Sequence, residues 1–493
     1  MTNYEEVVNL ALRRGLFFPA SEIYQNAPAG FYDFGPYGAS IRRKIIEVWR
    51  KTFVQAEDML EIDGAITMPV DVFKASGHLE DFNDPMTQCK KCKTILRADQ
   101  LLEEKGEEVN EGTPIEELTK KIKKLGLKCT KCKGELMDVR QFNLMVKAIV
   151  GSGNGVDCYL RPETCQSIFT SWDRLKSTCR IKLPKGIAQV GKAFRNEISP
   201  RQTIIRCVEF YQMEAEIFFD PAQINEVENF DEVKDYKVQV LLTSAKKVQA
   251  ITAKKLVDDK IVSGKLIAYY MARTQQLYER YGMPIEKLRF RQVQDDERAF
   301  YAKEGWDLEV ETSVGWIELG PINYRTDYDI GRHKEISGKD ISYVNDDGSK
   351  LIPHVLEISL GVERAVYCAL ELAYRKTKDR MWLALPPKIA PIEIGVCPLL
   401  KNKPELVAKA KEIFKEIKCC YECEYDAAGS IGKRYARFDE VGVPWCLTID
   451  FDSLTNNDVT IRDRDTAEQK RIKIDDLKVV FFRLLTGVNF SEV

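Results

Sequence analysis

Two arginines, each in a setting that dictates its local backbone, constrain this chain more than any other feature. The first lies in Phe194-Arg195-Asn196-Glu197, followed by Arg206 and then Glu209-Phe210. Residues 190–194 and 205–219 read as strands. The polar, proline-bearing Ile198-Ser199-Pro200-Arg201-Gln202-Thr203 between them suits a loop joining an antiparallel pair. On a strand Arg195 and Glu197 share a face, because side chains alternate. A guanidinium meets phosphate through its planar fork, the carboxylate beside it can accept from an amine, and Phe210 offers a flat apolar surface to a base. The second arginine ends Glu357-Ile358-Ser359-Leu360-Gly361-Val362-Glu363-Arg364. Here Glu357 and Ser359 share a strand face, Gly361 permits a turn, and Val362, Val366, Leu370 and Ala373 mark a helix. Arg364 falls in that helix's first turn, where free N–H groups and the helix dipole favour anions. Alone, the first segment reads as a surface hairpin with an ion pair and the second as a packed corner. Together they point to a nucleotide held without a P-loop.

At 493 residues the chain exceeds one core. A helix is expected over 4–16 and a longer one over 39–57, where Ile41, Ile45, Val48, Trp49 and Phe53 form one stripe. The expected core runs over 1–88 and 140–385. It is interrupted by a cysteine-bearing insertion at 89–139 and a charged, helix-containing insertion at 225–300. Pro386, Pro387 and Pro391 mark a break, and the strand–helix alternation of 389–493 predicts a separate α/β domain. The fold class is therefore α+β. The acidic N-terminus lacks a signal-peptide core and no apolar run is long enough to span a bilayer, so a cytoplasmic chain with no membrane partner is expected. A net charge of −2 excludes a globally basic nucleic-acid coat but leaves room for a local basic face. With only His78, His333 and His354, His-rich metal hydrolases and Ser-His-Asp chemistry are disfavoured.

The 14 cysteines of a cytosolic chain are expected as reduced thiols, mostly small buried groups, with Cys419, Cys420 and Cys423 in strand and core. Two C-x₂-C pairs stand apart: Cys89 with Cys92, and Cys129 with Cys132. Each can present two thiolates to a tetrahedral Zn²⁺, and the charged segment between them would gain order from such a clamp. A structural zinc is expected, and a redox dithiol is disfavoured without a thioredoxin-like context.

These segments, with the helix–strand–proline run at 39–69, resemble the three signature motifs of class II aminoacyl-tRNA synthetases, in particular the homodimeric glycyl-tRNA synthetases. Supporting strings are Gly30-Phe31-Tyr32-Asp33-Phe34-Gly35-Pro36, Ala75-Ser76-Gly77-His78, Phe82-Asn83-Asp84-Pro85 and Arg161-Pro162-Glu163-Thr164. Ser430-Ile431-Gly432-Lys433-Arg434-Tyr435 resembles the anticodon-binding domain shared by the glycine, histidine, proline and threonine enzymes. The family often places Pro where Ile358 stands, a change that removes backbone rigidity but no functional group.

The resemblance implies an antiparallel catalytic sheet flanked by helices, a two-fold homodimer built by the 39–57 helix, and ATP, Mg²⁺, glycine and tRNA(Gly) as cofactors and partners. It implies that Arg195 holds the α-phosphate, Glu197 reads the adenine amino group, and Arg364 holds the γ-phosphate. Asn196, Ile205, Arg206, Glu209, Phe210, Leu319 and Gly361 complete the nucleotide site. Glu318, with Glu357, is the Mg²⁺ candidate. Glu163, Glu214 and Ser359 match amine-binding positions, Arg97 a carboxylate-binding one, and Phe210, Gln212 and Glu357 complete the glycine site. Clustered carboxylates are costly without a cation, which an ammonium supplies. In the C-terminal domain Lys433, Arg434, Arg437, Arg462 and Arg464 are candidates for RNA contacts, against a solvated face as the plain alternative. The expected reaction is activation of glycine to glycyl-adenylate and transfer to tRNA. Its rivals are a sibling synthetase for proline, threonine or serine, and a non-catalytic synthetase-like RNA-binding subunit.

Overall fold

Thr2 opens helix α1 (Asn3–Arg14) with a reciprocal capping box to Glu5, and Gly15 closes it in the left-handed conformation. The computed structural model describes residues 2–107, 109, 113–153, 155–198, 200 and 202–493. Ser199 and Arg201 of the expected 198–203 loop, and four positions of the 89–139 insertion, lie outside the described residues. Helix α2 (Pro36–Trp49) starts on a proline, whose missing N–H costs nothing there, and runs into a wider turn over Arg50–Gln55. Its stripe of Ile41, Ile45, Trp49 and Phe53 is fully buried inside the chain. Phe53 stacks on Tyr270, and Tyr281 donates its hydroxyl to the Ile45 carbonyl at 2.9 Å. That apolar face is therefore consumed within the chain and is not open to a second copy.

A nine-stranded mixed sheet forms the centre. In chain order its strands are β1 (Leu60–Ile62), β2 (Lys185–Phe194), β3 (Glu209–Phe219), β4 (Lys237–Leu241), β5 (Gln249–Thr252), β6 (Leu288–Gln292), β7 (Glu304–Thr312), β8 (Gly315–Thr326) and β9 (His354–Gly361). In space they run β5-β4-β6-β7-β8-β9-β3-β2-β1. Pairing is antiparallel except at β1–β2 and β4–β6. The register sets Glu214 opposite Ser359, and Glu216 opposite Glu357, which faces Asn323. Side chains needed at one place thus arrive from three strands. Helices α3 (Cys165–Thr178), α4 (Lys265–Arg280), α5 (Tyr328–Ser337) and α6 (Val362–Ala373) pack around the sheet.

The 225–300 segment, expected as a charged, helix-containing insertion within the core, carries helix α4 and strands of the central sheet as well. It supplies β4, β5 and β6 to the sheet edge, and α4 buries Leu266, Ile267, Leu277 and Tyr278. Each of the three aliphatic side chains contributes about 1.5–3 kcal/mol on burial. Its charges face outward and masked the apolar stripe. The 89–139 insertion has its own small core around Ala98, Leu102, Leu118 and Ile122.

Beyond the prolines, β10 (Ile394–Pro398), α7 (Pro404–Ile417), β11 (Cys423–Tyr425), α8 (Ile431–Val441), β12 (Trp445–Ile449), β13 (Asp458–Asp463) and β14 (Gln469–Lys473) build a five-stranded sheet in the order β11-β10-β12-β13-β14. It joins the body built on the nine-stranded sheet through Tyr37–Glu424 and Lys44–Glu422 contacts from α2. Cys419 and Cys420 are exposed in the turn after α7, not in the core, and Cys423 is half-buried on β11. Among the described residues no helix is long and apolar enough to cross a membrane.

Candidate active site

A cavity of about 800 Å³ opens over the face of β3, β8 and β9. Its walls are fixed by buried, uncommitted-looking residues that turn out to be struts. Arg161 is fully buried and donates to the carbonyls of Lys192 and Gly64 and to the Ser167 hydroxyl, at 2.8, 2.9 and 3.0 Å. This anchors the Arg161-Pro162-Glu163-Thr164 turn on β2. Gly320 lets β8 press against β9, since a Cβ there would lie 1.8 Å from the Ser359 carbonyl oxygen.

At one end of the cavity stands a carboxylate cluster. Glu214 accepts from the hydroxyls of Thr164 and, at 2.7 Å, Ser359, while Gln212 donates to Ser359 at 3.3 Å. Glu163 accepts from the Cys165 thiol at 2.9 Å and the Gln166 amide at 3.0 Å, with His78 Nε2 at 3.4 Å. Glu357 accepts from Arg325 at 2.9 Å and from Asn323 at 2.8 Å. Arg325 also makes a paired contact with Asp329, at 2.6 and 2.8 Å. Beneath them Glu216 is fully buried with neither carboxylate oxygen partnered among the described residues. Arg325 is the buried arginine serving this set, so negative charge is in excess.

The titration behaviour follows. Burial and the fields of Glu163 and Glu357 push Glu214 up to about 7, against its two hydroxyl donors. Burial and the neighbouring Glu357 raise Glu216 well above the carboxylate range. Glu357 is raised by burial in spite of Arg325. Glu163 is buried too, but His78, Arg325 and the Cys165 thiol hold it well below the usual range.

At the other end lie the groups expected to hold a nucleotide. Arg195 donates to the Pro162 carbonyl and sits between the rings of Phe82 and Phe210, at 5.3 and 5.5 Å. Arg206 stands 4.0 Å from Glu197. Arg364, in the first turn of α6, donates to the carbonyls of Glu318 and Ile205 at 2.8 and 3.3 Å and lies 3.4 Å from the Glu318 carboxylate. Ile205, Leu319 and Gly361 line the same space. Arg97 lines it as well, with its guanidinium held by Asp84 and Asp99.

Three expected residues do not face the cavity. Glu209 pairs with Lys192 across the β2–β3 hairpin, Asn196 is tied by its backbone to Leu144, and Glu214 lies just below the surface. Both oxygens of Glu357 accept hydrogen bonds, and Asp307, which lines the cavity with Glu318, is paired with Arg291 at 2.6 Å; burial and then Glu318 raise it to about 7. Asp307, Arg325, Asn323 and Glu216 were missed from sequence. Strand alternation in β8 and β3 would have flagged the last three as polar groups on an inward face.

The four cysteines of the 89–139 insertion converge. All four sulfurs lie within 4.8 Å of one another, with Cys89–Cys132 at 3.5 Å and Cys92–Cys129 at 3.6 Å. Thiolates about 2.3 Å from a tetrahedral Zn²⁺ stand roughly 3.8 Å apart, so the donor set fits that ion. Lys93 and Lys133 follow the pairs in the left-handed conformation, which turns each chain back under its knuckle. In the C-terminal domain Arg434 binds the Pro398 and Gly429 carbonyls, Arg437 binds Asp426, Arg462 binds Asp439 and Arg464 binds Asp465. Of the five basic candidates only Lys433 is exposed without such a bond among these contacts.

Residues 149–373 match the family model "tRNA synthetase class II core domain (G, H, P, S and T)", and 393–481 match "Anticodon binding domain". The glycine–tRNA ligase of Methanothrix thermoacetophila is 37% identical, over 100% of this chain and 99% of that protein. Those of Pyrococcus furiosus and Methanocaldococcus jannaschii are 38% and 37% identical, over 98% and 96% of this chain and 99% and 97% of theirs. Likeness that runs the length of both chains, through core and C-terminal domain alike, makes this chain a member of the glycine–tRNA ligase family, on a class II synthetase core.

Proposed function

We propose that the cavity activates glycine with ATP and that the chain transfers the glycyl group to tRNA(Gly). The observation that carries the reading is the buried carboxylate set at one wall of the cavity, where Glu163, Glu357 and Ser359 line the space and Glu214 lies beneath Ser359, an excess of negative charge that suits a small cation. The glycine ammonium is that cation. Its carboxylate is then directed toward the Arg195 end, where an oxygen attacks the α-phosphorus of ATP and the bond to the β-phosphate breaks, releasing pyrophosphate. Arg195 holds the α-phosphate as charge moves onto the leaving group, Arg364 holds the far phosphates, and Glu197 accepts from the adenine amine. No side-chain nucleophile is needed, since positioning and charge stabilisation suffice. In the second step a terminal ribose hydroxyl of tRNA attacks the glycyl carbonyl and AMP departs.

Glu318 and Asp307 would hold Mg²⁺, which neutralises phosphate charge. The four cysteines would hold a structural Zn²⁺ that fixes the insertion. Lys433 and its surroundings would meet RNA. A homodimer is part of this reading, and its contact has to use surface other than the apolar stripe of α2. The test is amino-acid-dependent exchange of pyrophosphate into ATP. Exchange with glycine and no other amino acid supports the reading, exchange with proline, threonine or serine replaces the pocket assignment, and no exchange favours a non-catalytic RNA-binding role.

A further inference from the structure

The chain between β6 and β7, residues 293–303, leans back over the carboxylate end of the cavity, and Phe300 and Tyr301 at its crest both line it. The Tyr301 ring lies 3.7 Å from the Arg325 guanidinium, which Phe169 faces at 5.3 Å from its own ring. Arg325 in turn holds Glu357. Phe300 meets Tyr301 and Tyr328 edge-on, at 5.1 and 5.6 Å. It also rests on Gly77, where a Cβ would stand 2.9 Å from ring carbons and the backbone takes φ of +79°. Gly77 precedes His78, whose ring reaches Glu163. The connection is thus a strap latched to both sides of the carboxylate cluster, through Arg325 on one and Gly77 on the other. A separate hollow of about 1000 Å³ behind the strap, lined by residues of 260–264 and 292–305, carries scattered charges and no converging set.

Selecting glycine cannot rest on attraction, because every other amino acid offers the same ammonium and carboxylate and more surface besides. It requires filled volume. The polar groups at this end, Glu163, Glu357, Ser359 and Asn323, are each engaged in hydrogen bonds. Besides His78, Phe82 and Phe210, bulk is supplied by Phe300 and Tyr301 of the strap. An aromatic ring backed by a buried guanidinium is a stiff wall, because moving it breaks the stack as well as the packing.

We propose that Tyr301 is the residue that excludes larger amino acids, its ring filling the space a side chain would need when the ammonium sits among Glu163, Glu214 and Ser359, with Phe300 as its latch. This rests on the glycine-site reading above. The experiment measures kcat/KM in pyrophosphate exchange with glycine and with alanine for the full chain and for Tyr301→Ala, Tyr301→Phe and Phe300→Ala. Tyr301→Ala is expected to lower the glycine-over-alanine ratio by about tenfold or more. Tyr301→Phe, which keeps the ring, is expected to hold the ratio, and Phe300→Ala to lower it less. A ratio unchanged in Tyr301→Ala overturns the proposal, as does an equal fall in Tyr301→Phe, which would assign the effect to the hydroxyl. Should Tyr301→Ala fail to fold, Phe300→Ala decides, because Phe300 is 51% exposed and its loss spares the core; an unchanged ratio there overturns the strap. The wild-type chain separates the two readings. Absent glycine exchange removes the glycine site itself, whereas normal exchange with unmoved ratios removes only the strap.

Discussion

Lowering the pH should weaken glycine binding through Glu214. Its carboxyl is raised to about 7, first by burial and then by Glu163 and Glu357. The ammonium pairs with the ionised form, and glycine's own ammonium stays charged between pH 6 and 8. The glycine KM at saturating ATP should therefore scale inversely with the ionised fraction, roughly doubling from pH 8 to pH 7 and rising about tenfold by pH 6. The stability sign runs in the matching direction. A carboxyl raised on folding stabilises fully below its unfolded value of 4.5, and that contribution is lost as pH rises through about 7. Glycine supplies the missing cation, so the rise in Tm on adding glycine should grow from pH 6 to pH 8. Steady-state pyrophosphate exchange reads the KM and differential scanning fluorimetry reads the shift. Glu214→Gln should raise KM and flatten its pH dependence. A wild-type KM that moves less than about twofold over this range, or a Glu214→Gln variant that keeps the slope, would refute the assignment of this proton to the ammonium site.

Two further outcomes follow from the buried charges and the cysteines. Arg325→Met strands Glu357 and Asp329, and breaking such a buried set should cost about 3–5 kcal/mol, seen as a lower urea midpoint at unchanged slope; a loss below about 1 kcal/mol would show that the cluster is not held by this residue. The purified chain should carry one zinc by elemental analysis, and Cys92→Ser should lose it and raise amide hydrogen exchange across 89–139 while the nine-stranded sheet stays protected. A metal-free chain whose insertion is as protected as the rest would remove the zinc.

What could be read from sequence was whatever lies within one element. The strand-to-helix turn ending at Arg364 and the paired cysteines are local patterns, and each lies where its period and spacing placed it; the strand ahead of Arg195 is local too, but it ends at Phe194, so Arg195 and Glu197 do not share a strand face. The α/β character of 389–493 was legible for the same reason. What was missed depends on chain-distant neighbours. Arg325 is an ordinary strand residue until the fold sets it against Glu357 and Asp329. Arg437 and Arg462 look free until Asp426 and Asp439 arrive from other elements, whereas Arg464 pairs with Asp465, the next residue along the chain. The 225–300 segment shows how outward charge on α4 hides a buried face, and the stripe of α2 shows that an apolar face does not by itself say whether its partner is the same chain or a copy.

Strand β9 is the last of the nine to be synthesised, yet it lies between β8 and β3. Until residues 354–361 leave the ribosome, the growing chain holds two partial sheets with facing open edges, the kind of surface that pairs with the wrong neighbour. Glu357 and Ser359 arrive on that same strand, and Arg364 directly after it. Closing the sheet and completing the site are therefore one event, and a nascent chain cannot bind glycine before its most exposed intermediate has disappeared.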